Sequence, residues 1–217
     1  MRWQDQQGTP IRQTCRSNRK SLHDPSYAAL EKELLSQIGV SFEVRTSGRE
    51  EIYHSVIPEE IVRELALMKA ENVAGDLTDE QNEAPKDTIV IGADTIVVLD
   101  GKILGKPVDE KDAADMIGAL QGRSHEVYTG VAILDYDAQG EKNVSVHAVG
   151  TKVYVNPMDE AEISAYIDTG EPMDKAGAYG IQGRFAAYID RIEGDYYNVV
   201  GLPVSYVYQA LKRIGAF

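Results

Sequence analysis

The chain has 217 residues, 43% of them hydrophobic and 26% charged, with a formal net charge of −13 at pH 7. That acidity argues against a nucleic-acid surface built on clustered Lys and Arg, and no apolar run approaches the ~18–20 residues that span a bilayer. The single cysteine, Cys15, excludes an internal disulfide framework and fits a reducing cytoplasm. A small polyanion is compatible with the charge if it meets a local cationic pocket, with divalent metal cancelling carboxylates.

Residues 1 to about 25 show no helical or strand periodicity, lack the apolar stretch of a secretory signal, and are expected to be poorly ordered. A helix follows from about Ser26 to Ile38, with Leu30, Leu34 and Ile38 as its stripe and Gly39 at the C-cap. Val40–Val44 alternates as a strand. Arg45 to Ile57 is a polar loop carrying Glu50 and Glu51. Pro58 opens a long helix to about Ala74, with Ile61, Leu65 and Met68 inward. Lys69 falls one residue past that stripe, and spacing alone makes it a solvated or snorkelling lysine. Gly75 to Asp87 reads as an acidic surface loop.

Thr88 to Pro107, TIVIGADTIVVLDGKILGKP, holds the strongest strand signal: two β-branched runs, Thr88–Ile91 and Thr95–Leu99. Gly92-Ala93-Asp94-Thr95 between them places one carboxylate where the flanks predict burial. Asp100-Gly101 is a two-residue hairpin turn, and the return strand Lys102–Leu104 delivers Lys106, so strand pairing is expected to bring Asp94 and Lys106 near each other. Such a pair serves either as a base or metal ligand facing an anion-holding lysine, or as a strand-end Asp with a solvated Lys.

Asp109 caps a helix to about Leu120, with Ala113, Met116, Ile117 and Leu120 inward. His125–Leu134 and Asn143–Val155 are strands joined by a turn at Asp135–Lys142. Asp159 and Glu162 have capping-box spacing for another short helix. Thr169 to Gly183, with glycines at 170, 177, 180 and 183, is a loop that holds Glu171, Asp174, Lys175 and Gln182. Its embedded Tyr179 and Ile181, and Phe185 just beyond, favour a binding loop over a flexible connector. Ala186–Ile192 is a strand, and Pro203 opens the last helix with Val207, Leu211 and Ile214 inside. The pattern predicts a mixed, twisted sheet with helices on both sides. No long linker separates domains, so residues 26–217 read as one. The histidines lack metal-ligand spacing. Gly101–Lys106 fails the P-loop pattern, because three residues rather than four separate its glycines and Pro107 follows the lysine.

The blocks GADTIVVLDGKILGKP, HEVYTGVAI, GEPMDKAGAYGIQG and IEGDYYNVVGLP, in that order, resemble the Maf-like nucleoside triphosphate pyrophosphatase family, in its dTTP/UTP branch. The resemblance covers the chain from about Glu33 to its end. It implies an elongated, twisted mixed sheet with flanking helices in two lobes around a cleft, like inosine triphosphate pyrophosphatase. It also implies Mg²⁺-dependent hydrolysis of dTTP or UTP to the monophosphate and pyrophosphate, and a homodimer. Carried over, Asp94 is the proton acceptor, Lys69 and Lys106 hold phosphates, and Glu51 lies near the metal. Asp174 and Lys175 line the cleft. Thr95 and Gln182 mark the pyrimidine branch, since an amide can read a base edge.

One departure stands out. The family opens with a strand and S-x-S-P-R-R before K-E-L-L, whereas Lys32-Glu33-Leu34-Leu35 here follows Ala28-Ala29-Leu30-Glu31. The phosphate-binding Ser and Arg have no counterpart in register, although Arg16, Ser17, Arg19 and Lys20 lie upstream. That departure opens an alternative, a catalytically weak nucleotide-binding protein of the same fold.

Overall fold

The computed structural model describes residues 11–14, 33–45, 49 and 51–217. Among them are seven strands: β1 Ile11–Thr14, β2 Phe42–Arg45, β3 Thr88–Leu99, β4 Lys102–Leu104, β5 Ser124–Tyr136, β6 Lys142–Val155 and β7 Ile189–Glu193. The helices are α1 at residues 33–37, α2 Pro58–Gln81, α3 Glu110–Leu120, α4 Glu160–Ile167, α5 Tyr196–Val200 and α6 Val204–Arg213.

The described residues fall into two compact units. One draws on Met1–Asp94, Gly130–Ala148 and Gly201–Phe217, the other on Thr95–Thr129 and Val149–Val200. In the first unit the strand order is β2-β1-β3-β5-β6, with β1 parallel to both β2 and β3. Its core forms where α2 lays Ala66, Ala70, Val73 and Leu77 against Val90, Ala132 and Leu134. In the second unit β4 pairs antiparallel with β3 and β7 antiparallel with β6. Mixed strand directions with packed helices are the α/β class that the sequence pattern predicts.

Several local expectations hold for the expected physical reasons. Gly39 takes φ 75°, and the Val40 and Gly39 amides donate to the Leu35 and Ser36 carbonyls, the paired bonds that close a helix at a left-handed glycine. Asp100 and Gly101 have φ 52° and 74°, as a tight hairpin turn requires. Asp109 accepts from the Asp112 amide, and Asp159 and Glu162 form the reciprocal capping box.

Others need correction. β1 lies within the stretch expected to lack regular structure, where two parallel neighbours satisfy its backbone. The rest of residues 1–25, and with it Arg16, Ser17, Arg19 and Lys20, lies outside the described residues. Helix α2 runs past Ala74 and Gly75 to Gln81, because Leu77 continues its buried face and outweighs the ~1 kcal/mol that an interior glycine costs. The stretch at Arg184–Tyr188 is 3₁₀ rather than strand, with β7 starting only at Ile189. Ile214 caps the end of α6 and is exposed rather than inside.

Candidate active site

Helix α2 buries every fourth residue in one row, Ile61, Leu65, Lys69, Val73 and Leu77. Its backbone sits directly on the strands because two glycines lack side chains there. A Cβ on Gly130 would fall 2.0 Å from the Val62 carbonyl oxygen, and one on Gly92 would fall 2.8 Å from the Ala70 nitrogen. Asp94 lies two residues beyond Gly92, on the same face of β3. The lysine of the buried row therefore meets the carboxylate of the strand.

The result is a three-residue charge cluster in the first unit. Lys69 is 2% exposed and Asp94 7%; the Lys69 ammonium donates to Asp94 Oδ1 and lies 3.2 Å from Glu51 Oε1. Lys69 is thus an ion-paired buried group, correcting the solvated reading that periodicity gives it. A buried ammonium and carboxylate are tolerable only when paired in this way. Two carboxylates around one ammonium carry a net charge of −1, which suits a site that recruits a further cation. Among the described residues no three His, Cys, Asp or Glu side chains gather as a ready-made metal cage. Mg²⁺ is usually held by one or two carboxylates plus substrate phosphates, and Glu51 and Asp94 fit that mode.

The β3–β4 ladder runs from Leu99 opposite Lys102 to Val97 opposite Leu104, and an ammonium bonded to Asp94 is that of Lys69. Lys106 is exposed on the segment after β4.

The remaining predicted residues lie in the second unit. Thr95 Oγ1 is 2.8 Å from Thr129 Oγ1. In the 169–183 loop, Lys175 Nζ donates to Asp174 Oδ1 at 2.6 Å and to the Glu171 carbonyl at 3.1 Å. Glu171 accepts from the Tyr166 hydroxyl at 3.1 Å and from the Arg184 amide at 2.9 Å. Burial, reinforced by Glu171, holds the Tyr166 phenol well above its usual range. The loop is two 3₁₀ turns, Glu171–Asp174 and Ala176–Ala178, tied by these bonds. Gln182 is exposed at its far end.

Sequence reasoning misses two buried polar groups here. His125 Nε2 is 2.7 Å from the Tyr179 hydroxyl, and burial lowers its pKa to about 4. Asn198, fully buried, donates to the Val127 carbonyl at 2.9 Å and to Thr151 Oγ1 at 3.0 Å. A polar residue inside an otherwise apolar strand or helix block is the only sequence signal for either.

Taken together, a mixed α/β fold with a buried carboxylate–lysine–carboxylate cluster defines a protein built to handle charge away from bulk water. A family profile described as "Maf-like protein" matches residues 29–214, and the chain belongs to that family. It is 48% identical over 184 residues to the dTTP/UTP pyrophosphatase of Lachnoclostridium phytofermentans, spanning 85% of this chain and 90% of that one. It is 49% identical over 189 residues to the dTTP/UTP pyrophosphatase of Agathobacter rectalis, spanning 85% and 92%. A solved nucleoside-triphosphatase / dITP/XTP pyrophosphatase from Mycobacterium abscessus aligns over 94% of each chain at 13% identity with a TM-score of 0.38, too slight a likeness to bear on this chain.

Proposed function

We propose that the chain is a nucleoside triphosphate pyrophosphatase that converts dTTP and UTP to the monophosphate and pyrophosphate. The observation that carries this reading is the Glu51–Lys69–Asp94 cluster. The names of relatives at 48% and 49% identity support the substrate class.

In this reading a phosphate oxygen takes the Lys69 ammonium from Asp94. Freed of its ion pair, Asp94 accepts a proton from water, and the resulting oxygen nucleophile bonds to the α-phosphorus as the bond to the pyrophosphate oxygen breaks. Lys106 and Lys175 hold the departing phosphates as positive charges, and Asp174 orients Lys175. Thr95 and Gln182 read the pyrimidine. Mg²⁺ would be held by Glu51 and Asp94 and would supply charge neutralisation at the phosphate oxygens. The reading extends to a cytoplasmic homodimer without nucleic-acid or membrane partners. The net charge of −13 supports only the part that concerns nucleic acid, whose binding would need clustered Lys and Arg.

The test is pyrophosphate release from dTTP and UTP with Mg²⁺, by the chain and by Asp94→Asn. A loss of ~10²–10⁴ in kcat is expected from the variant, the usual contribution of a general base. Full activity in Asp94→Asn sinks the assignment. The departure ahead of Lys32 favours a second reading, nucleotide binding without turnover, and calorimetric binding of UTP with no pyrophosphate formed would establish it instead.

A further inference from the structure

The segment that carries Glu51 has little core of its own. Residues 51–55 form neither helix nor strand, and Ile52, Tyr53, Val56 and Ile57 are all exposed. Apolar burial, which seats most of a fold, is therefore not what keeps this stretch beside Lys69. Polar contacts do so instead, and α2 supplies them.

Two residues before Glu51, the Arg49 guanidinium donates to Asp76 Oδ1 at 2.9 Å and to Asn72 Oδ1 at 3.4 Å. Three residues after it, the His54 main-chain amide donates to Glu64 Oε2 at 2.6 Å. Ser55 Oγ then donates to Glu60 Oε2 at 2.5 Å and accepts from the Ile57 amide at 3.1 Å. Asp76, Asn72, Glu64 and Glu60 are four or eight residues apart, so they share one stripe of the helix. That stripe is met in descending order as the chain advances from 49 to 55. Lys69 falls between Asn72 and Glu64, so Glu51 reaches it midway between two fastenings.

The fastenings matter because the pull of Lys69 on Glu51 is opposed. Asp94 is bonded to the same ammonium, and two carboxylates on one cation repel each other. The Glu51 side chain keeps 25% exposure, so water offers it an alternative. We infer that Glu64 and Asp76 are positioning residues, which fasten the chain on either side of Glu51 and so hold its carboxylate 3.2 Å from the Lys69 ammonium. They thereby set the spacing of the two carboxylates, Glu51 and Asp94. The consequence for Mg²⁺ rests on the reading of that pair as its ligands; the fastening of the chain does not.

The experiment compares the full chain with Glu64→Ala, Glu64→Gln and Glu64→Ala combined with Asp76→Ala. The Glu64 and Asp76 side chains are both more than a third exposed, and alanine is the best helix former, so α2 survives the changes. In the metal-free protein, amide hydrogen exchange at residues 52–57 should rise about tenfold in Glu64→Ala, the worth of one hydrogen bond to a charged group. Glutamine, whose side-chain carbonyl still accepts, should keep exchange near that of the parent. The Mg²⁺ concentration for half-maximal pyrophosphate release should rise about fivefold in the double variant, the upper worth of an exposed ion pair, while kcat at saturating Mg²⁺ falls by less. A merely structural role would raise exchange along α2 and lower kcat, leaving the Mg²⁺ requirement where it was. Exchange in Glu64→Ala within about twofold of the parent, too small a change to report a lost bond, overturns the inference. So does an unchanged Mg²⁺ requirement in the double variant. If the parent releases no pyrophosphate from either dTTP or UTP, the underlying reading has failed, and the exchange of the metal-free protein alone decides the fastening.

Discussion

Gly92 and Ala66 touch backbone to backbone: a Cβ built on Gly92 would fall 2.3 Å from the Ala66 carbonyl oxygen. Lys69 is one helical turn from Ala66, and Asp94 is two strand residues from Gly92. The closeness of the two backbones therefore sets the distance over which ammonium and carboxylate meet.

Gly92→Ala forces α2 away from β3, since a main-chain oxygen cannot rotate aside as a side chain can. Overpacking of this kind costs about 1–3 kcal/mol. The same movement pulls Lys69 from Asp94, and misplacement of about 1 Å can cost ~10² in rate. Urea melts and pyrophosphate-release rates should both show the loss. Parental stability and turnover in this variant would refute the role given to the glycine.

Removing Lys69 should destabilise the fold more than neutralising Asp94. Lys69→Met leaves Asp94, which is 7% exposed, without the ammonium it is bonded to, and an uncompensated buried charge costs about 3–5 kcal/mol. Asp94→Asn leaves Lys69 still 3.2 Å from Glu51, so its cost is closer to that of one weakened hydrogen bond, about 1 kcal/mol. Chemical denaturation of the two variants at neutral pH gives the order, and the reverse order would mean that the lysine is not the shared partner.

His125 makes stability depend on pH. Its folded pKa is lowered from 6.5 to about 4 by burial, so between those values the unfolded chain binds a proton that the folded chain refuses. Stability therefore falls as pH drops from about 6.5 to about 4 and loses nothing more to this group below that. At 1.36 kcal/mol per pH unit the full difference is about 3 kcal/mol. His147 is lowered as well, by burial and then by Arg63 and Arg213, and adds a slope of the same sign. His125→Gln should flatten most of the slope in melts taken across that window. An unchanged slope would show that His125 takes up its proton while folded.

How much of this is written in the sequence follows from how local each feature is. The hairpin at Asp100-Gly101 and the caps at Asp109 and Asp159 depend on a few neighbouring residues and can be read directly. Lys69 is harder, because a lysine among Ile61, Leu65, Val73 and Leu77 looks like the edge of an apolar stripe. The spacing of four through all five residues is the signal that places it inside, but burial becomes tolerable only with Asp94, 25 residues away. The Thr95–Thr129 bond spans 34 residues and Thr129–Asn198 spans 69. Threonines are ordinary strand residues, so nothing before strand pairing is known marks these as hydrogen-bonded. β1 escapes a sequence reading for a related reason: IRQT has little alternation, and its place comes from β2 and β3 on either side.

Two glycine substitutions should move stability in opposite directions, and the contrast tests whether the 169–183 loop is built around Glu171. Gly118 lies within α3, and a Cβ placed on it would have nothing within 4 Å, so Gly118→Ala should gain about 0.5–1 kcal/mol from helix propensity. A Cβ on Gly183 would fall 2.0 Å from Glu171 Oε1, although φ there is −97°, which any residue adopts. The obstacle is therefore the carboxylate alone. Displacing it takes the acceptor from the Tyr166 hydroxyl and from the Arg184 amide, and a lost bond to a charged group is worth about 1.5–3 kcal/mol. Because Lys175 Nζ donates to the carbonyl of the same Glu171, Gly183→Ala should also raise KM for the nucleotide. Thermal melts of both variants, with KM measured alongside, decide the matter: a Gly183→Ala protein as stable as its parent would mean that Glu171 does not organise the loop.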